Sequence, residues 1–161
     1  MLTDHVDLNL LHLGILQLGL SNNPLLPGFL DKAELNHPQS FSILSETKTP
    51  AKDVKNLLAK TKVIFDDMYL KGADIQALLA LKAWLIDQIL DALWARYKFN
   101  EDISLIAVGG YGRGELQPHS DIDLLILIKS ELNDQLGEDI SSFITLIWDL
   151  KLDIGHSVRT I

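Results

Sequence analysis

Apolar positions recur at helical spacing through the first hundred residues and as short unbroken runs after that. The segment from Met1 to about Ser21 carries Val6, Leu10, Leu13, Leu16 and Leu20 at that spacing, with Gly14 and Gly19 weakening the pattern. Asn22-Asn23-Pro24 and Pro27-Gly28 then read as turns, and Leu30 to Ser45 as an irregular covering segment with about one helical turn. Thr49-Pro50 opens a helix over Ala51–Tyr69: Pro fits the first helical turn, and Thr49 stands where an N-cap belongs. Its stripe is Val54, Leu58, Thr61, Phe65 and Met68. Gly72 ends it, and Asp74 caps a second helix reaching about Tyr97. The apolar set of that helix is Ile75, Leu78, Leu79, Leu85, Ile86, Ile89, Leu93 and Trp94, a face wide enough to predict burial along much of its length. Trp84 and Trp94 have the composition of a stacking platform, but core packing is the commoner use of such aromatics.

The pattern then changes period. Leu105–Val108 is a short apolar run, broken by Gly109-Gly110 and followed by a polar, glycine-rich loop from Tyr111 to Ser120. Asp121-Ile122-Asp123 leads into a second run, Leu124–Ile128, so the stretch reads strand, glycine turn, loop, strand. Asn133 to Leu150 is helical by spacing, with Ile140, Phe143, Ile144, Ile147 and Trp148 on its apolar face. Its acidic residues Asp134, Glu138 and Asp139 suit a solvated first half where the helix dipole favours them. Lys151 starts a third strand through Leu152–Val158. Helices followed by strand, strand, helix, strand predict an α+β fold with a mixed sheet. Residues 1–50 are a covering segment, 51–99 a helical part and 100–161 the sheet-containing core.

Composition narrows the function classes. The chain of 161 residues is 47% hydrophobic and 22% charged, ordinary for one globular domain. Its formal net charge of −8 argues against general nucleic-acid binding, which requires basic surface. The absence of cysteine excludes disulfides and thiolate metal sites. Histidines 5, 12, 37, 119 and 156 lack metal-ligand spacing. The apolar run Leu8–Leu20 is interrupted by Asn9, His12 and Gln17, lacks a basic leader and is too short to span a bilayer. A cytoplasmic protein without a membrane partner is the expectation.

The chemistry concentrates between Leu105 and Ile128. In a strand, residues i and i+2 share a face, so Asp121 and Asp123 project together while Ile122 points into the core. Paired carboxylates repel unless a cation lies between them, and Mg²⁺ is held by one or two carboxylates plus substrate phosphates. Gly109 and Gly110 let the backbone approach a phosphate chain, where successive N–H groups form an anion-binding nest. Arg113 adds a fixed positive charge for phosphates. A lone D-x-D or Gly-Gly has an ordinary structural meaning; strand, Gly-Gly, ten residues, then D-x-D opening a strand is a sharper combination.

That combination resembles the signature of the DNA polymerase beta-type nucleotidyltransferase superfamily. GGYGRGEL…SDIDLLIL and the closing LDIGHSVRT are similar to the uridylyltransferase domain of the bifunctional uridylyltransferase/uridylyl-removing enzymes that act on the PII nitrogen-signalling protein. The resemblance covers roughly Phe41 to Ile161. It implies a nucleotidyltransferase core with added N-terminal helices, and transfer of UMP from UTP to a tyrosine of PII with release of pyrophosphate. It implies Mg²⁺ held by Asp121, Asp123 and a third acid, Asp153, which acts as general base or completes the metal site. Gly109, Gly110, Arg113 and Ser120 would bind the nucleotide. His156, Ser157, Arg159, Tyr111 and Glu115 stay open: Ser157 or Arg159 toward triphosphate or base, Tyr111 packing the loop, Glu115 pairing with Arg113. The family's HD hydrolase motif does not occur, so no uridylyl-removing activity is expected. The chain reads as an N-terminal fragment ending inside the family's nucleotidyltransferase region, with impaired transfer. Two alternatives are a non-catalytic nucleotide-binding or scaffold fragment, and a nucleotidyltransferase acting on a small molecule.

Overall fold

A computed structural model describes residues 20, 22–37, 39–117, 120–129 and 131–161. The helical spacing of residues 1–19 and 21 therefore lies outside the described residues. Among the described residues, the helices α1 Leu26–Ala33, α2 Ile43–Glu46, α3 Pro50–Leu70 and α4 Ile75–Ala95 precede the first strand. β1 Ile103–Val108, a single helical turn α5 Gly109–Gly112, β2 Ile122–Ile128, α6 Asp134–Asp149 and β3 Ile154–Thr160 follow. The expected α+β class holds: a helical region leads into a three-stranded mixed sheet, with α5 and α6 lying between its strands.

α1 corrects the reading of Pro27-Gly28 as a turn and takes in the first residues of Leu30–Ser45; beyond Ala33 the described residues are irregular up to the single helical turn α2, as expected. Pro27 sits in the first turn of α1, where its missing N–H costs nothing, and complete burial of Phe29 outweighs the weak propensity of Gly28. The turn at Asn22–Pro24 is real. Asn23 is buried, accepts the Leu25 N–H at 3.0 Å and donates to the Ala77 carbonyl at 2.9 Å, tying the entry of the chain to α4.

α3 buries Val54, Thr61 and Met68 as the stripe predicts. The fully buried Thr61 hydroxyl donates to the Leu57 carbonyl at 2.9 Å, which removes the penalty of an unmade bond. Thr49 stands at the N-cap but makes no capping bond there; its hydroxyl lies 3.1 Å from the Asp53 carboxylate instead. Asp74 does cap α4, accepting the Ala77 N–H at 2.9 Å. α4 buries ten residues, from Leu78 to Trp94, and α2 and α3 pack against it. Ile75 at its start is exposed, outside the face assigned to it. Both tryptophans belong to the core: Trp84 meets Phe29 and Phe41 edge-on, and Trp94 meets Phe99 and Phe143.

β2 is the central strand, antiparallel to β1 and parallel to β3. Its Ile122, Leu124, Ile126 and Ile128 are all buried, alternating with half-buried residues. In register with them on β1 lie Ile103, Leu105 and Ala107, so these residues form the inner face of the sheet. The parallel step to β3 runs through α6, whose Asn133 cap accepts the Leu136 N–H at 2.8 Å. α6 buries Ile140, Phe143 and Ile147, but Trp148 is half exposed and meets the His156 ring edge-on. Left-handed Lys151, at φ 59°, stops the helix. Leu152 and Asp153 are spent on that reversal, so β3 starts at Ile154, two residues later than its apolar pattern suggests.

Candidate functional site

The candidate residues meet at the leading end of β2. Ile122 pairs with Ile154, and the Ile122 N–H donates to the Asp153 carbonyl at 2.8 Å. The residues just before them, Asp121 and Asp153, are therefore neighbours across the segments that lead into β2 and β3. Both are exposed. Alternation puts them on the face opposite Ile122, the face that also carries Asp123. Asp153 is thus beside the expected strand as foreseen, but it precedes β3 rather than lying within it.

Asp123 is different: it is half-buried and sits between two glycines. It pairs with Val108, the residue before Gly109, on one side, and with Gly155 on the other. A Cβ added at Gly109 would stand 2.7 Å from Asp123 Oδ2, and one added at Gly155 would stand 2.7 Å from Oδ1. Real carbon–oxygen contacts are not that short, so the carboxylate occupies a slot that two missing side chains leave open.

The glycine stretch is a turn of helix rather than the open loop its composition suggests. Gly109 adopts φ 64°, a left-handed conformation that leads the strand into α5. Gly112 is needed for a separate reason, since a Cβ there would lie 2.6 Å from the Ala107 carbonyl. Gly110 faces no such constraint, its nearest neighbours being at ordinary contact distance. Tyr111 and Leu116 are buried and anchor the turn. The Tyr111 hydroxyl donates to the Asp87 carboxylate of α4. Burial, reinforced by Asp87, pushes the phenol far above its ordinary range, so it stays a donor.

Arg113 is exposed and pairs with Glu115 at 3.2 Å, as one reading of Glu115 held. Ser120 donates its hydroxyl to the Gln117 carbonyl at 2.8 Å, closing the return of the loop rather than reaching outward. On β3, Gly155, Ser157 and Arg159 are in register with Asp123, Leu125 and Leu127, and so share their face. His156 is in register with Leu124 instead, on the α6 side, which removes it from the row that holds Asp123. Sequence reasoning missed Gly112 and Gly155. A glycine inside a strand is a signal of close approach by another group, and Gly155 was there to be read that way.

Among the described residues no three His, Asp or Glu side chains are close enough together to hold a metal ion. The donor set nevertheless suits Mg²⁺: two hard carboxylate oxygens plus phosphates suffice for it. The slot that fixes Asp123 is the kind of cradle such a ligand requires. Among the same residues no helix is long and apolar enough to cross a membrane.

Residues 86–156 match the nucleotidyltransferase domain family. Over 115 residues, 70% of this chain, the sequence is 44% identical to the bifunctional uridylyltransferase/uridylyl-removing enzyme of Pseudomonas savastanoi. It is 42% identical over 120 residues, 73% of the chain, to that of Pseudomonas aeruginosa. The same enzyme of Ectopseudomonas mendocina is 43% identical over 134 residues, 82% of the chain. The chain spans only 13% of the length of the first two relatives and 15% of the third. No solved structure matches.

Proposed function

We propose that this chain, whose residues 86–156 match the nucleotidyltransferase domain family, supplies the nucleotide and metal-ligand end of a uridylyltransferase. The reaction is transfer of UMP from UTP to a tyrosine hydroxyl of a PII-type signalling protein. The observation that carries the reading is the placement of Asp123 between Gly109 and Gly155, with Asp121 and Asp153 side by side at the same end of the sheet. The relatives' names supply the uridylyl group; the closing GHSVRT stretch favours a PII acceptor over a small molecule.

In this reaction the tyrosine oxygen attacks the α-phosphorus of UTP. The bond from that phosphorus to its bridging oxygen breaks, and pyrophosphate leaves. Asp123, half-buried between the two glycines, and Asp121, exposed, would provide carboxylate oxygens for Mg²⁺. That ion supplies charge neutralisation on the phosphates. Asp153 stands beside Asp121, either to accept the tyrosine proton or to add a third ligand. The leading N–H groups of α5, which have no acceptor within a single turn, would meet the triphosphate, and Arg113 would exchange Glu115 for a phosphate oxygen.

The test is calorimetric titration of UTP with and without Mg²⁺, together with transfer of labelled UMP to PII. Metal-dependent binding that disappears in the Asp121→Asn, Asp123→Asn variant is the expected result. Equal UTP binding by both proteins would overturn the carboxylate mechanism. Labelling of a small-molecule acceptor but never of PII would overturn the choice of acceptor.

A further inference from the structure

We infer that Gly155 is a positioning residue for Asp123: its missing side chain fixes where the Asp123 carboxylate stands. The inference rests on the nucleotidyltransferase reading but concerns a residue outside the Gly-Gly and D-x-D pair that defines it. Three observations support it. Gly155 is in register with Asp123 on the adjacent parallel strand, so the two lie on the same face. A Cβ at Gly155 would come within 2.7 Å of Oδ1, whereas its next nearest contact, with the same side chain's Cγ, is at 3.9 Å. The clash is therefore with one carboxylate oxygen and not with backbone. On the opposite side Oδ2 lies in the space that a Cβ at Gly109 would fill, so a methyl group at Gly155 would press on a carboxylate that stands between two absent side chains.

The two glycines differ in what a methyl group would do. Gly109 has a left-handed backbone, so alanine there strains the chain as well as the carboxylate. Gly155 is not in the left-handed region, and its strand position accepts alanine without backbone strain. What yields in Gly155→Ala is the end of a short side chain, which moves at little cost to the fold. That makes the substitution a selective probe. It displaces a ligand oxygen while the protein stays folded. A group acting through a metal ligand in this way typically alters metal affinity about 10- to 100-fold.

The experiment compares wild type, Gly155→Ala, Asp123→Asn and the double variant in the full chain. The readouts are Mn²⁺ binding by electron paramagnetic resonance, metal-dependent UTP binding by calorimetry, and a crystal structure of Gly155→Ala. The expected results are an unchanged melting temperature, metal affinity weakened about tenfold, and a displaced Asp123 carboxylate. In the Asp123→Asn background Gly155→Ala should add nothing further, because both changes act on one group. Losses that multiply in the double variant would overturn the inference, as would a Gly155→Ala structure with the carboxylate unmoved. Failure of the wild type to bind metal or UTP would count against the functional reading instead, and the crystal structure would still decide the role of Gly155.

Discussion

Phe29, Val54, Leu81 and Leu93 are fully buried in the helical layer, and each contributes by filling space. At the leading end of the sheet Gly109, Gly112 and Gly155 contribute by leaving space, for a carboxylate in two cases and for a carbonyl in the third. The same small change, one methyl group, therefore has opposite meanings in the two regions. Removing volume from the helices loses packing energy; adding volume at the sheet end displaces a carboxylate or a carbonyl. Stability and activity should separate along this line.

The largest expected effect tests the sheet end. Asp123→Asn keeps the shape and removes a charge, so transfer to the acceptor should fall about a thousandfold, corresponding to several kcal/mol of lost charge stabilisation. The melting temperature should hardly move. Unfolding of this variant at wild-type activity per folded molecule would break the comparison. The next effect belongs to the helices. Leu81→Ala should destabilise the chain by about 3 kcal/mol in denaturant titration, while UTP affinity below the transition stays at the wild-type value.

Tyr111→Phe falls between the regions, because that side chain links the glycine turn to α4 through Asp87. Losing the bond should cost about 1 kcal/mol and loosen the turn, so UTP affinity should also drop slightly. It has a pH signature as well. The phenol is held neutral in the folded chain, so in the unfolded chain it ionises first, near its ordinary value of about 10. The wild type should therefore lose stability as pH rises above that value, and Tyr111→Phe should lose less. An identical alkaline decline in both would discard the link.

The smallest effect lies on the helical surface. Lys60 holds the Glu34 carboxyl below its ordinary range through a direct hydrogen bond, and Lys71, helped by Lys32, does the same for Asp67. A lowered carboxyl value adds stability at neutral pH that is lost as pH falls through the acid range. Both groups are open to solvent, so Glu34→Gln should leave thermal unfolding at neutral pH within measurement error, more so at high salt.

The helical layer was largely legible in the sequence, because periodicity reports burial directly: Val54, Thr61 and Met68 were placed by spacing alone. α1 escaped, since Pro27 and Gly28 mimic a turn and only the burial of Phe29 makes the segment helical. In the site, alternation predicts a common face for Asp121 and Asp123. It does not predict the slot around Asp123, which depends on which residue of β3 lies opposite. That register is set by where Lys151 stops α6, and a left-handed lysine gives no warning in the sequence.

The order of strands carries a consequence for how the chain acquires its site. β1 and β2 are joined by the shorter connection, through α5, and pair antiparallel, whereas β3 reaches β2 only after the whole of α6 has crossed over. Contacts that close long stretches of chain form late. Gly155 and Asp153 arrive with that last strand, so a hairpin of β1 and β2 would present Asp123 with one wall of its slot missing. The chain should thus be unable to grip a nucleotide until its sheet is finished, and ligand should protect the β3 amides from hydrogen exchange more than those of β1.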